Sequence, residues 1–336
     1  MTKPAHLEPS KLGTKEYWDA LYSQELANHA HDPSDTGTAW FDDSDAEAKL
    51  LRFLGDPGTA AELGLSPDGD GDGDGGSGEG KGKRPTSFLD LGTGNGALLF
   101  SLRDAGWRGP MLGVDYSAQS VRFARRIERG RRRQGRGDNE EEEQEKDEEG
   151  EREEVDVHFA EHDILRGPAA ALLDGARFSP AVVGGWDVVL DKGTFDAVSL
   201  SAATAPGAGT RASEGYGARV LPLVRPGGLF LITSCNWTEA ELRGWFEDGA
   251  SYSSHSPSPS SSASAPGGGG GGDGDGDGAE NNDNGSGLTT TTTTTWGFEV
   301  VGRVEYRSFS FGGVKGQTIS SLCFRKVERR HAQPVV

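Results

Sequence analysis

Short runs of apolar residues alternate along the chain with segments whose apolar residues recur at helical spacing. Five runs have the length of buried strands and cover residues 88–91, 111–114, 155–159, 188–190 and 229–232. Helical patterns cover residues 98–105, 120–128 and 215–224, and residues 298–306 and 317–325 are expected to form a final hairpin. Nearly continuous apolar strands are typical of parallel sheets covered on both faces. The pattern therefore predicts an α/β fold with helices on both faces of a mostly parallel sheet.

Polar residues at the ends of these patterns predict where helices begin. Ser44 with Glu47, and Thr238 with Glu241, have the spacing of capping boxes, in which each side chain bonds the other residue's backbone. Ser117, directly after the second strand, is expected to cap the helix that follows.

Four segments contain too few apolar residues to offset the entropy lost when a chain is ordered. They cover residues 67–84, 130–154, 202–213 and 250–295, and are rich in Gly-Asp, Arg then Glu, Ala-Gly-Pro, and Ser, Gly and Thr. We expect them to be disordered, low-complexity insertions within one domain that spans residues 1–336. The remainder, roughly 230 residues, is long enough to bury the core of a single domain.

Composition narrows the classes of partner. The 336 residues carry a net charge of -19, which argues against direct binding of nucleic acid. The chain has no apolar run of about 18 residues and no apolar segment near Met1, so neither a membrane span nor a secretory signal is expected. Two cysteines cannot form a disulfide framework, which predicts a cytoplasmic protein. The arginines at 131–133 leave a nuclear pool as an alternative, and the histidine spacing predicts no bound metal.

A glycine-rich turn follows the first strand, where residues 88–96 read Phe-Leu-Asp-Leu-Gly-Thr-Gly-Asn-Gly. Gly92, Gly94 and Gly96, with Asn95 between them, would let a ligand approach the backbone closely. The third glycine comes one residue too early for a pyrophosphate-binding fingerprint, and Asp90 lies two residues before the first. These features favour a ligand without phosphates whose ammonium group meets Asp90 and the Gly92 carbonyl. S-adenosylmethionine is such a ligand.

Two further acidic residues follow the next two strands. Asp115, with Tyr116 beside it, lies where a carboxylate can accept both ribose hydroxyls of a nucleoside. Asp163 ends the third strand, where it could bind the adenine amino group while the Ile164 backbone N–H reaches a ring nitrogen. Because the carboxyl ends of parallel strands meet at one edge of a sheet, these residues are predicted to line one crevice.

The fourth and fifth strands are expected to supply the acceptor side of that crevice. Asp191 would face the transferred group beside the cofactor, and Lys192 would pair with a neighbouring carboxylate and hold the loop. Asn236 could accept a hydrogen bond from an acceptor ammonium, and Trp237 could exclude water. The alternatives are that Asp191 caps a helix and that Trp237 packs beside the Thr238 cap.

Aromatic residues before the sheet are candidates for covering the cofactor. Tyr17 and Trp18 lie in a predicted helix, and Trp40 precedes Phe41 in the next turn. Packing of a helix against the sheet explains them equally well.

Several of these segments are shared with a known family. They are residues 12–18, 40–41, 89–96, 113–117, 191–197, 231–238 and 309–313. In them the chain resembles the seven-β-strand class of S-adenosylmethionine-dependent methyltransferases, and within that class the Efm4-type lysine methyltransferases of elongation factor 1-alpha. The resemblance implies a Rossmann-like seven-stranded sheet with an antiparallel final strand. It also implies a monomeric protein-lysine N-methyltransferase whose protein partner is elongation factor 1-alpha.

Other functions remain open at this point. A methyltransferase could act on another protein, a small molecule or a nucleic acid, although the fourth strand lacks the Pro-Pro-aromatic turn that grips a flipped base. A nicotinamide-dependent oxidoreductase would need the missing pyrophosphate fingerprint. A non-catalytic protein that binds S-adenosylmethionine is the third alternative.

Overall fold

The computed structural model describes residues 4–68, 84–136, 157–173, 184–204, 209–247, 252–253, 295–311, 314–317 and 319–329. Its helices are α1 (Lys15–His31), α2 (Ala46–Gly55), α3 (Pro57–Leu63), α4 (Ala97–Asp104), α5 (Ala118–Arg136), α6 (Thr194–Ser199), α7 (Ala212–Val220) and α8 (Glu239–Phe246). Its strands are β1 (Phe88–Leu91), β2 (Met111–Asp115), β3 (His158–Glu161), β4 (Trp186–Lys192), β5 (Val224–Ser234), β6 (Tyr252–Ser253), β7 (Thr295–Val304), β8 (Ser308–Phe311), β9 (Val314–Gln317) and β10 (Ser320–Arg329).

Eight strands form one sheet in the order β3-β2-β1-β4-β5-β10-β7-β6. Strands β1 to β5 are parallel to one another, whereas β10 is antiparallel to both β5 and β7. The two-residue β6 pairs with the outer edge of β7, and β8 and β9 form a separate hairpin. The predicted Rossmann-like sheet with an antiparallel final strand is confirmed, with β6 as a short addition to its seven longer strands.

The sheet is buried on both faces. Along β5, Leu229 and Leu231 belong to one apolar cluster, and Phe230 and Ile232 belong to the other. Because side chains alternate along a strand, this division places one cluster on each face of the sheet. The first cluster includes residues of α2, α4 and α5, and the second includes residues of α6, α7 and α8. Helices therefore cover both faces, as the apolar runs predict.

Only one of the two predicted capping boxes forms. Thr238 accepts a hydrogen bond from the Glu241 backbone, and the Glu241 side chain accepts one from the Thr238 backbone at 2.9 Å. The prediction for Ser44 and Glu47 is wrong, because α2 begins at Ala46 and Glu47 instead accepts a hydrogen bond from Ser101 Oγ on α4. The Glu47 carboxylate, which the capping box would need as an acceptor, is instead bonded to Ser101 on a different helix.

The predicted insertions begin or end inside described elements. Helix α5 extends into the segment 130–154, where Arg131 pairs with Asp104 on α4. Helix α7 starts at Ala212, inside the segment 202–213, because Arg211 donates hydrogen bonds to the backbone carbonyls of Leu7, Ser199 and Ser201. The boundaries predicted for these two segments are therefore wrong by several residues. Residues 69–83, 137–154, 205–208, 250–251 and 254–294, the rest of the predicted insertions, lie outside the described residues.

The described residues show neither a membrane-spanning helix nor a metal-binding cluster. None of their helices combines the length and apolar character that crossing a bilayer requires. The same residues contain no group of three or more His, Cys, Asp or Glu side chains arranged to hold a metal ion.

Candidate active site

The glycine-rich turn lies between β1 and α4 at the carboxyl edge of the sheet. Gly92, Gly94 and Gly96 have φ angles of 66°, 60° and 82°, the left-handed region that favours glycine. A Cβ atom at Gly94 would lie 2.6 Å from the hydroxyl oxygen of Tyr22, so no larger residue fits without displacing α1. The turn therefore brings backbone amides and α1 together over the end of β1.

A cavity opens at this turn. Its walls come from α1, α2, the end of β1, the glycine turn, the end of β4 and the segment before α2. The lining residues are Tyr22, Thr38, Ala39, Trp40, Glu47, Asp90, Gly92, Thr93, Gly94, Asn95, Ala97, Leu98 and Lys192. The predicted candidates Trp40, Asp90, Gly92, Gly94 and Asn95 are thus brought together.

Charged groups converge on the inner end of the cavity. Asp90 is 3% exposed, and burial raises the pKa of its carboxyl to about 7, although the Thr93 hydroxyl and Lys192 oppose the shift. Burial lowers the pKa of the Lys192 ammonium, while Glu47 and Asp90 favour its charged form. A second cation beside Asp90 would favour its ionised form, and the carboxylate would in turn stabilise that cation.

Asp115 lies at the end of β2, beside the same turn. Its carboxylate accepts hydrogen bonds from the backbone amides of Gly94 at 3.2 Å and Ser117 at 2.9 Å. Burial raises its pKa, while these hydrogen bonds and the nearby Lys15 ammonium lower it. Lys15 also lies 5.5 Å from the centre of the Tyr116 ring. Asp115 and Tyr116 border the turn but are not among the residues that line the described cavity.

Asp163 and Ile164 follow the carboxyl end of β3, as the sequence predicts, and make contacts with neighbouring residues there. Asp163 accepts hydrogen bonds from the backbone amides of Leu165 and Arg166, and its carboxylate pairs with the Arg166 guanidinium. The Ile164 carbonyl accepts a hydrogen bond from Arg219, and its side chain packs on the second apolar cluster. Asp163 closes its own turn, and neither residue lines the described cavity. The expected adenine contacts therefore stay predictions.

Asp191 is the next-to-last residue of β4, and its carboxylate accepts hydrogen bonds from the first two backbone amides of α6. Its Oδ1 accepts the Thr194 amide at 2.8 Å and its Oδ2 accepts the Tyr216 hydroxyl at 2.6 Å, while both oxygens lie within 3.2 Å of the Phe195 amide nitrogen. Burial raises the pKa of this carboxyl to about 7, and the Tyr216 hydrogen bond opposes the shift. Asp191 is 1% exposed, so the capping alternative describes its contacts and its predicted catalytic and cofactor roles stay untested.

The end of β5 contributes the remaining predicted residues. Trp237 is buried, its indole N–H donates to Ser199 Oγ at 3.2 Å, and its ring packs against Phe195 and Trp245. These contacts place Trp237 in the core, as the packing alternative requires, and not beside the described cavity. Asn236 is half-buried beside Cys235. Cys235 is exposed.

The aromatic residues of α1 form a row that ends at the cavity. The Tyr17 and Trp18 rings meet edge to face at 5.2 Å, and the Trp18 ring lies 5.3 Å from that of Trp40. Trp18 also donates its indole N–H to the Leu12 carbonyl. Of the three predicted residues, only Trp40 lines the described cavity. The Trp18 ring packs against Trp40.

Comparison with known proteins agrees with this geometry. A family model described as a methyltransferase domain matches residues 83–276, more than half of the chain. The protein-lysine N-methyltransferase EFM4 of Saccharomyces cerevisiae is 36% identical over 72% of this chain and 83% of its own length. The chain belongs to this family of methyltransferases. The corresponding efm4 protein of Schizosaccharomyces pombe is 34% identical, and the EEF1A lysine methyltransferase 2 of Danio rerio is 29% identical over 97% of this chain.

Several residues of this methyltransferase's cavity were missed by the sequence reasoning. Tyr22 follows Trp18 by four residues, so the two share a face of α1, and that spacing was the available signal. Glu47 was interpreted only as half of a capping box. No sequence pattern marks Thr38 and Ala39 as cavity residues, because they lie in an irregular segment whose course the sequence does not indicate. Lys192 lies near Asp90 and Glu47 as expected, but its hydrogen bond goes to a backbone carbonyl.

Proposed function

We propose that this methyltransferase transfers a methyl group from S-adenosylmethionine to a lysine side chain of translation elongation factor 1-alpha. The observation that carries the proposal is the 36% identity with a protein-lysine N-methyltransferase over 83% of that relative's length. The relative from Danio rerio is named an EEF1A lysine methyltransferase, and it aligns with 97% of this chain. Its name supports elongation factor 1-alpha as the substrate.

The residues of the cavity fit a cationic nucleoside donor. The glycine turn leaves backbone groups open to a ligand, and Asp90 supplies a buried carboxylate that an ammonium or sulfonium ion would stabilise. Asp115 uses its two oxygens for one backbone amide each, which leaves lone pairs for ribose hydroxyls. When bound, the cofactor supplies a methyl group on a positively charged sulfur, and Asp90, Asp115 and the turn would hold it.

The acceptor must lose a proton before it reacts. A lysine side chain has an unperturbed pKa of about 10.4, so the site must bind the ammonium, favour the neutral amine and exclude water. Trp40 offers an aromatic face at the cavity, and the half-buried Asn236 is the polar candidate on the β5 side. Asp191 would act indirectly, by holding α6 and α7 in place at the end of β4.

The test is methyl transfer from labelled S-adenosylmethionine to recombinant elongation factor 1-alpha, followed by mass spectrometry of the peptides. We expect label on one or more lysines of the factor, and no label with the Asp90→Ala variant. Label on a different protein from a cell extract would retain the activity but change the substrate. Cofactor binding without transfer to any acceptor would favour a non-catalytic binding protein.

A further inference from the structure

An irregular segment covers the cavity and is held there by side chains. It runs from Thr36 to Phe41, between α1 and α2, and we call it the strap. Thr38, Ala39 and Trp40 of the strap line the cavity. The Phe41 carbonyl accepts hydrogen bonds from the Ser44 and Ala46 amides. Residues 36–40 lie in no helix or strand, so the position of the strap depends on contacts with neighbouring elements.

Helix α1 holds the first half of the strap. Glu25 is 7% exposed, and its Oε1 accepts hydrogen bonds from the Thr38 hydroxyl at 2.7 Å and the Thr38 amide at 3.2 Å. One helical turn later, His29 Nδ1 lies 2.8 Å from the Asp35 carbonyl oxygen. A buried carboxylate without these donors would be costly, so α1 and the strap stabilise one another.

The glycine turn and β4 hold the strap from the other side of the cavity. Asn95 Nδ2 donates to the Thr36 carbonyl at 2.8 Å, and Lys192 Nζ donates to the Trp40 carbonyl at 3.3 Å. The strap is therefore tied at one end to the turn that would bind the cofactor, and at the other end to the tip of β4.

Lys192 fixes the end of the strap that carries the aromatic residues. Its ammonium lies 5.9 Å from the centre of the Phe41 ring, and a Cβ atom at Gly193 would lie 2.9 Å from that ring. Trp40 in turn meets Trp18 edge to face. Loss of the Lys192 ammonium would release the Trp40 carbonyl while leaving the Asn95 contact with the cofactor turn intact.

We infer that Lys192 is a positioning residue for the acceptor, because it holds the strap so that the Trp40 ring forms the wall beside which the acceptor amine enters. The inference rests on the proposed lysine methylation for its substrate. It concerns the acceptor side of the cavity, since Asn95 ties the opposite end of the strap to the cofactor turn. The Lys192 ammonium also favours the ionised form of Asp90 on the donor side. A flat aromatic face at the entrance suits an ammonium group, which is attracted to the ring before it loses its proton.

The test compares Lys192→Met, which retains the length of the side chain, with Lys192→Arg, which restores a cation. At saturating S-adenosylmethionine, we expect Lys192→Met to raise KM for the protein acceptor about tenfold. Lys192→Arg should recover most of the loss. The matched control is Lys49→Met, because Lys49 also donates to a nearby backbone carbonyl, that of Ser44, but lies outside the cavity lining.

Hydrogen exchange, which does not depend on methyl transfer, tests this inference separately from the proposed function. Hydrogen exchange of the strap amides in Lys192→Met should be about tenfold faster than in the wild type, with exchange in α2 and α4 unchanged. An unchanged acceptor KM together with unchanged strap exchange would overturn the inference. So would a parallel loss of cofactor affinity that Lys192→Arg does not recover. If Lys192→Met does not fold, Lys192→Gln replaces it in both measurements, with the same expected and contrary results.

Discussion

The state of the Asp90 carboxyl links cofactor binding to pH. Burial raises its pKa to about 7, so the group is mostly protonated at pH 6 and mostly ionised at pH 8. A cationic donor favours the ionised form, and affinity should therefore rise with pH, by up to about tenfold between pH 6 and pH 8. Titration calorimetry at pH 6, 7 and 8 checks this prediction. The Asp90→Asn variant should bind more weakly and lose the dependence, and an equal dependence in the variant would contradict the assignment.

The contacts of Asp191 separate a catalytic role from a capping role. In Asp191→Asn, the amide oxygen can still accept the Thr194 and Phe195 amides, while the amide nitrogen can donate to the Tyr216 hydroxyl oxygen. We expect Asp191→Asn to change the free energy of unfolding by less than about 1 kcal/mol, and Asp191→Ala to lower it by about 1–3 kcal/mol. Urea unfolding of the two variants measures this difference.

Turnover of the stable Asp191→Asn variant then tests the catalytic prediction. A direct role for the carboxylate requires slow methyl transfer with unchanged cofactor affinity. Normal turnover would leave Asp191 with the helix-capping role alone.

At the scale of residues, the sequence predicted that Asp90 and Asp115 lie at strand ends beside the glycine turn, where the structure has them, but it did not indicate their surroundings. Asp90 and Asp115 follow from strand ends and from the glycine turn, since both are set by local sequence. The contacts of Lys192 with Trp40, and of Asn95 with Thr36, join residues that are 152 and 59 positions apart. Their acceptors are backbone carbonyls, which carry no sequence signal, so only the structure could reveal them.

The two predicted capping boxes provide a matched test at the scale of elements. Thr238→Ala removes an N-cap that is formed, and should lower the free energy of unfolding by about 1 kcal/mol. Ser44→Ala removes a hydroxyl that does not cap α2 and should change it by less than about 0.5 kcal/mol. Thermal or urea unfolding of both variants checks the pair. Equal losses in the two variants would mean that α2 uses the Ser44 cap in solution.

Helices and strands could be predicted where their buried residues form a regular apolar pattern in the sequence. Strands β1 and β2 follow the apolar runs closely because every residue in them is buried. Strand β5 is longer than its run, since its first residues, Arg225 and Pro226 among them, are partly exposed or exposed. Helix α5 continues past the predicted end because its last turns are stabilised by charged pairs such as Arg132 with Glu128, and not by apolar burial.

At the scale of the whole molecule, the long segment between β6 and β7 can be tested by replacement. Ser253 and Thr295 are direct partners in the β6–β7 ladder, so a two-residue turn can join them. Replacing residues 254–294 with Asn-Gly should preserve the fold and at least about half of the methyl-transfer rate, because a shorter loop costs less closure entropy. Circular dichroism and the transfer assay check this outcome, and loss of folding would contradict the single-domain prediction.

We propose that an adenosyl donor binds at the tips of β1 and β2, held by Asp90, Asp115 and the glycine turn. Calorimetric titration of the full chain with S-adenosylmethionine tests it most directly. We expect one site per chain, an affinity lowered at least about tenfold by Asp115→Asn, and no change with the exposed control Asp104→Ala. Absence of binding to the wild type, or equal affinity in the Asp115→Asn variant, would contradict it.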